Sequence, residues 1–222
     1  MSIKSALPKN VLSVFYWCQL MLTLILASQS PRRRDLLLKA GFQFHTHSIE
    51  ISEILNENLS LDDALMELAR QKSEAIIDSG KLAKFDKFLV LTADTVVIID
   101  NEVIGKPVDL EDAKQKLRRL SGRKHIVKTA VCLVECLPSP RKSDSAVEIS
   151  EVTFKKLSEE EIEGYVKGAK PLDKAGAYGI QDLPKGFITL IHGNLDNVMG
   201  LPVKLVEEMI SRNGWEVLRG KL

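Results

Sequence analysis

Charge of one sign is not in excess here: 31 Lys and Arg stand against 30 Asp and Glu in 222 residues, a formal net charge of +1. The chain as a whole therefore has no pull toward nucleic acid or an anionic membrane, and any anion binding must be local. Cysteine is scarce. Cys18, Cys132 and Cys136 form an odd set without paired C-x-x-C spacing, so the expectation is reduced thiols in a reducing, cytoplasmic compartment and no structural zinc. His45 and His47 form a lone H-x-H, which reads as strand surface rather than a metal site. Both G-x-x-x-x-G-K-[ST] and G-x-G-x-x-G are missing, which excludes the two common nucleotide-binding loops. Repeats, low-complexity segments and linkers are missing too. With 45% hydrophobic and 27% charged residues the chain is an ordinary globular protein of one domain or two closely packed lobes, neither disordered nor fibrous.

One long apolar run is present, Val11 to Ala27, preceded by Lys4 and Lys9. Superficially it resembles a secretory signal or a marginal membrane span. Cleavage after Ala27 would remove a strand that the following turn needs, so no membrane partner is expected. Residues 1–22 are read as an extension of doubtful function, with Met21 as the expected start, and residues 23–222 as the domain.

The stretch from Leu24 to Leu38 organises the rest. Leu24 to Ala27 is a short apolar run that predicts a buried strand, and Ser30 followed by Pro31 predicts a helix N-cap with proline at the first helical position. The first turn of a helix carries partial positive charge and normally attracts Asp or Glu, yet here it holds Arg32, Arg33 and Arg34. Free amide hydrogens, the hydroxyls of Ser28 and Ser30 and an arginine cluster together make a phosphate site. The plainer alternative is a solvated basic turn.

Further along, Phe42 to Ile51 reads as a strand carrying Glu50 and leading to Glu53. Ser60 caps a helix whose apolar face comprises Leu61, Leu65, Leu68, Ala69, Ala75 and Ile76. Lys72 falls on that face, either snorkelling at its edge or directed at phosphate. Phe88 to Ile99 is the strongest strand pattern, and its near-continuous apolarity predicts cover on both faces. Asp94 interrupts it. A carboxylate there needs a metal, a cation or hydrogen bonds, or else local backbone amides in a kink. Asp100-Asn101 predicts a hairpin turn, and Gly105-Lys106-Pro107 brings Lys106 out on a rigid loop.

Asp109 caps a helix with Leu110, Ala113, Leu117 and Leu120 inward, and Arg118, Arg119, Arg123 and Lys124 read as its solvated basic end. Ile126 to Val134 and Val147 to Phe154 predict a long hairpin with a mobile loop from Leu137 to Ser145. Ser158 and Glu161 form a capping box. The glycines of Lys174 to Gln181 permit close approach of backbone to a ligand. A strand from Phe187 to Ile191 and a last helix opened by Pro202 complete the chain.

The run LASQSPRRRDLL resembles the signature of the Maf family of nucleotide pyrophosphatases, and ADT, GKP, LSGR, DKAGAYGIQ and MGLP follow in the family's order. The resemblance covers nearly everything from Leu24 to the last helix. It implies an α/β fold related to the inosine-triphosphate pyrophosphatases: a mixed twisted sheet, helices outside, and two lobes around a cleft, commonly as a homodimer. It also implies hydrolysis of nucleoside triphosphates to the monophosphate and pyrophosphate with a divalent metal, Mg²⁺, Mn²⁺ or Co²⁺. SPRR, ADT and AGAYGIQ are similar to the branch acting on dTTP and UTP rather than on 7-methyl-GTP. A regulatory role in septum formation, for which the family is named, is the alternative of a different class. By position, the resemblance puts Asp94 as catalytic proton acceptor, Arg32, Thr95 and Gln181 where specificity is set, and Glu53 as a metal-binding or catalytic carboxylate. Ser28, Arg32, Arg33, Lys72 and Lys106 would then hold the triphosphate while Asp94 and Glu53 hold the metal. Thr92 departs from the family, where glycine is common.

Overall fold

Strand β1 (Thr23–Ala27) lies between β2 (Phe44–His47) and β3 (Phe88–Ile99), parallel to both, in a computed structural model that describes residues 21–136 and 141–220. The expected extension with its aromatics and Cys18, and the tip of the loop after Cys136, lie outside the described residues. On its other side β3 pairs antiparallel with β5 (Lys124–Cys136), then come β6 (Lys142–Phe154) and β7 (Ile188–His192), giving the order β2-β1-β3-β5-β6-β7. The seventh strand, β4 (Glu102–Ile104), folds back on the end of β3 through Asp100 and Asn101, both at positive φ. This is the expected mixed α/β sheet, with helices on its faces.

One edge of β3 defines the cleft. Phe88 to Leu91 pair with β1 and Val97 to Ile99 pair with β4, leaving Thr92 to Val96 between the two partners without a ladder neighbour on that edge among the described residues. Three apolar clusters follow the same division. Leu89 and Leu91 pack with Leu24, Leu26 and helices α1 (Pro31–Lys39) and α5 (Val203–Arg212). Val97 and Ile99 pack with α3 (Leu110–Leu120) and α4 (Glu159–Gly168). The opposite face, through Val90, Val96 and Ile98, is covered by α2 (Leu61–Asp78). Leu89, Val90 and Leu91 are fully buried, each worth about 2 kcal/mol of apolar burial. Asp94 has no such gain and must be compensated by partners.

Several boundaries differ from the sequence-based expectations. The strand expected over Phe42 to Ile51 stops at His47, because its partner β1 ends opposite it at Ala27 and turns away. Glu50 is therefore outside the sheet. β5 and β6 are longer than expected, with Ser143 and Ser145 in register opposite Val134 and Cys132. Leu110 is exposed rather than inward, since it starts α3 just after the Asp109 cap. Three 3₁₀ turns, Pro171–Asp173, Ala175–Ala177 and Ile180–Asp182, fill the segment read only as glycine-rich. Its glycine Gly176 (φ 68°) serves internal packing: a Cβ there would stand 2.9 Å from Val97 Cγ2. The basic cluster is spent on ion pairs, Arg118 with Glu111 and Glu159, Arg119 with Glu102, Arg123 with Asp100 and Lys124 with Glu151.

Candidate active site

Helix α1 starts as the sequence requires. The Ser30 side chain accepts from Arg33 N at 3.5 Å and Pro31 stands in the first turn. No acidic residue occupies that turn; Pro31 has no N–H and the Arg33 and Arg34 amides go to Ser30, so the helix dipole and the Arg32 amide are what the turn offers an anion. Ser28, nearly buried, accepts from Ser30 N at 3.2 Å and from Arg33 Nη1 at 3.4 Å, which shapes the turn and leaves its own hydroxyl hydrogen to donate.

The three arginines diverge. Arg34 is exposed and pairs only distantly with Asp35. Arg33 turns inward, donating from Nε to Gly200 O at 2.7 Å and from Nη2 to Thr95 Oγ1 at 3.2 Å. Burial lowers its pKa, the charges of Asp94 and Glu53 raise it and that of Arg32 lowers it. Behind Thr95 runs a fixed chain of hydroxyls. Thr129 Oγ1 donates to Asn197 O at 3.1 Å, so at the 3.0 Å contact between them Thr95 must give its hydrogen to Thr129. The Thr95 hydroxyl thus holds Arg33 and has no hydrogen left for a ligand.

Beside this turn, the open edge of β3 carries a second group. Lys72, on α2, donates to Asp94 Oδ1 at 2.5 Å and to Glu53 Oε1 at 2.8 Å, and Lys106 donates to Glu53 Oε2 at 2.8 Å. Lys72 and Asp94 are about 14% and 15% exposed, Glu53 45%. Desolvation pushes the Glu53 carboxyl up, but the hydrogen bonds and charges of Lys106 and Lys72 outweigh it and hold it at about 2. Glu53 is therefore ionised throughout the neutral range. Lys72 lies within its helix's buried stripe, between Leu68 and Ile76, rather than snorkelling from its edge, and in this structure its ammonium faces carboxylates. Its register is set by Thr92, fully buried, whose hydroxyl donates to Ala69 O at 2.7 Å and lies 2.8 Å from Ser73 Oγ. A hydroxyl thus pins α2 to β3 next to Lys72 and two residues from Asp94.

The same oxygens suit a divalent cation. The Lys72 ammonium lies between Asp94 Oδ1 and Glu53 Oε1, a point already within bonding reach of both carboxylates. No group of three or more His, Cys, Asp or Glu is so placed among the described residues. Two carboxylates are nonetheless an ordinary protein contribution to a Mg²⁺ site, whose remaining positions go to substrate phosphates and water.

A cavity of about 620 Å³ opens at the start of α1, lined by Arg32, Tyr165, Lys174, Gln181 and Asp182 among others. Its size is that of a small-molecule site. Of the three residues expected to set specificity, Arg32 and Gln181 both line it, while Thr95 lies behind Arg33. Sequence reasoning missed Lys174, 5% exposed, with Asp173 and Asp182 around it, and Gly200, whose carbonyl orients Arg33. A lysine buried among carboxylates has no periodic signal, and a carbonyl has none at all.

A helix N-terminus rich in arginine, two carboxylates bridged by lysines and an adjoining cavity form a site for a phosphorylated small molecule, built on a mixed α/β sheet. The family model described as Maf-like protein matches residues 23–213, and the chain belongs to that family. It is 45% identical over 189 residues to a protein of Bdellovibrio bacteriovorus named dTTP/UTP pyrophosphatase, covering 85% of this chain and 97% of the relative. Proteins of the same name from Thermotoga maritima (39% identity, 86% and 90% covered) and Aliivibrio fischeri (40%, 83% and 95%) are also similar. Among solved structures, a nucleoside-triphosphatase / dITP/XTP pyrophosphatase of Mycobacterium abscessus matches over 86% of this chain and 94% of that one, at 12% identity and a TM-score of 0.36. At that TM-score the likeness carries no structural argument.

Proposed function

We propose that this chain hydrolyses dTTP and UTP between the α and β phosphates, releasing the monophosphate and pyrophosphate. The observation that carries the reading is the meeting, at one open strand edge, of the Arg32–Arg33 turn with the Lys72–Asp94–Glu53–Lys106 group, next to a cavity holding Arg32 and Gln181. Relatives named dTTP/UTP pyrophosphatase over almost their whole length support it.

The triphosphate lies with its phosphates against the positive end of the helix and the Ser28 hydroxyl, and Arg32, Arg33, Lys72 and Lys106 neutralise it. Four cations against two carboxylates leave a local positive surplus for the leaving pyrophosphate. Glu53, held at about 2, stays a charged anchor for the lysines and accepts no proton near neutrality. Asp94 accepts the proton of the attacking water. A divalent ion, when held by Asp94 and Glu53, supplies Lewis-acid polarisation of the phosphoryl oxygen. The base and sugar occupy the neighbouring cavity. No covalent intermediate is required.

Incubation of the purified protein with Mg²⁺ and a panel of triphosphates, 7-methyl-GTP included, tests this. Pyrophosphate release from dTTP and UTP is the expected result; orthophosphate alone, or release from 7-methyl-GTP only, refutes it. The proposal extends to a homodimer, checked by light scattering, and to the cytoplasm, which the free thiols of Cys132 and Cys136 suit. No helix among the described residues is long and apolar enough to cross a membrane.

A further inference from the structure

We infer that Asp182, held by the buried Lys174, locks the Gln181 side-chain amide in one orientation and thereby makes the cavity prefer uracil-type bases over cytosine. The inference rests on the pyrimidine reading above and deepens it. Gln181 Nε2 donates to Asp182 Oδ2 at 3.2 Å. An ionised carboxylate only accepts, so the amide nitrogen and not its oxygen must face Asp182. The carbonyl oxygen and the second N–H are left, in fixed order, for a ligand. Uracil and thymine offer the complement, an N3–H donor beside a carbonyl acceptor. Cytosine offers the reverse, an N3 acceptor beside an amino donor, and pairs well only with a flipped amide.

Lys174 keeps the lock in place. Its ammonium donates to Lys170 O, to Asp173 Oδ1 at 2.8 Å and pairs with Asp182 Oδ2 at 3.4 Å. Two of its donors are spent on protein oxygens and its charge faces Asp182, so Lys174 acts by positioning its neighbours. Asp173 in turn pairs with Arg32 Nη1 at 3.5 Å, which ties another lining residue of the cavity to the same hub. Gly179 lets these groups converge: a Cβ there would stand 2.8 Å from both Gln181 Nε2 and Lys174 Cε and 2.9 Å from Asp182 Oδ2. A buried cation, two carboxylates, an amide and a glycine without room for a methyl are more than an exposed loop needs to hold its shape.

The test is the ratio of UMP to CMP affinity, measured by calorimetry on the wild type, Asp182→Asn and Lys174→Met. The wild type is expected to favour UMP. Asn in place of Asp182 can face either edge of the amide, so the preference should fall about fivefold or more in Asp182→Asn, the scale of a lost charge-assisted hydrogen bond. Lys174→Met should lose it in the same direction. A wild type without preference, or an Asp182→Asn protein with an unchanged ratio, overturns the inference. Gly179→Ala, which displaces Gln181 by bulk and alters no charge, should weaken UMP more than CMP; equal weakening counts against the lock. Monophosphate binding is read without phosphoanhydride cleavage. A wild type that prefers UMP yet releases no pyrophosphate from UTP refutes the activity and supports the lock.

Discussion

Asp94 shows how much one residue can reveal when its surroundings forbid it. In a twelve-residue strand buried on both faces it is a costly side chain, and the structure compensates it with the Lys72 ammonium at 2.5 Å. Asp94→Asn should cut turnover by about a hundredfold or more while nucleotide binding survives, because the cations proposed to hold the phosphates remain. Turnover at saturating substrate and the Mg²⁺ needed for half-maximal activity check this, a raised Mg²⁺ requirement marking loss of a ligand. Glu53 carries a separate, pH-dependent signature. Its folded pKa, about 2, is depressed from the ordinary 4.5, so its contribution to stability is complete above about 4.5 and lost as pH falls through about 2. Glu53 is nearly half exposed, and solvent screening makes that contribution small. The stability difference between the wild type and Glu53→Gln, read from urea midpoints by circular dichroism, should be constant above about pH 4.5 and shrink below it.

At the scale of elements, the segment from Lys174 to Gln181 is held from several sides. Gly176 N donates to Gly105 O at 3.3 Å, linking it to the loop that carries Lys106. Gly176→Ala would set a methyl against Val97 at a positive φ, and a loss of about 1–3 kcal/mol is expected in urea denaturation. On the other side Tyr178 Oη lies 2.7 Å from His125 Nε2, and His125 Nδ1 is buried without a partner. Burial lowers His125 to about 4 from 6.5. Between those values the unfolded chain binds a proton that the folded one refuses. Stability is therefore complete above about pH 6.5 and falls as pH drops toward 4, by at most about 3 kcal/mol. Urea midpoints at pH 7 and pH 4.5 measure it, and His125→Phe should flatten the difference.

For the whole molecule, a net charge of +1 coexists with a concentrated cationic site. Substrate capture then depends on local attraction over a screening length of about 8 Å at physiological salt. KM for UTP should rise several-fold between about 0.05 and 0.5 M KCl while turnover changes less, as steady-state rates across that series would show. A cysteine-poor core suits this architecture, since the seven strands and the three apolar clusters need no covalent staple.

Local order was legible in the residues. Ser30-Pro31, Ser60, Asp109 and the Ser158–Glu161 box mark helix starts because capping is a contact within one turn. The buried run of β3 and its Asp94 were equally plain, since period and charge survive without knowledge of neighbours. Where β2 stops was not legible, for it depends on where β1 turns away, and the length of β5 and β6 depends on a partner rather than on their own polar residues. The tertiary structure alone decided that Lys72 meets Glu53 and Asp94, that Thr95 serves Arg33, and that Lys174 gathers Asp173 and Asp182 near Gln181. These pairings join residues from separate elements, and a side chain's direction across a gap is set by the packing of both. Sequence determines which groups a chain can offer; only the packed sheet determines which of them meet.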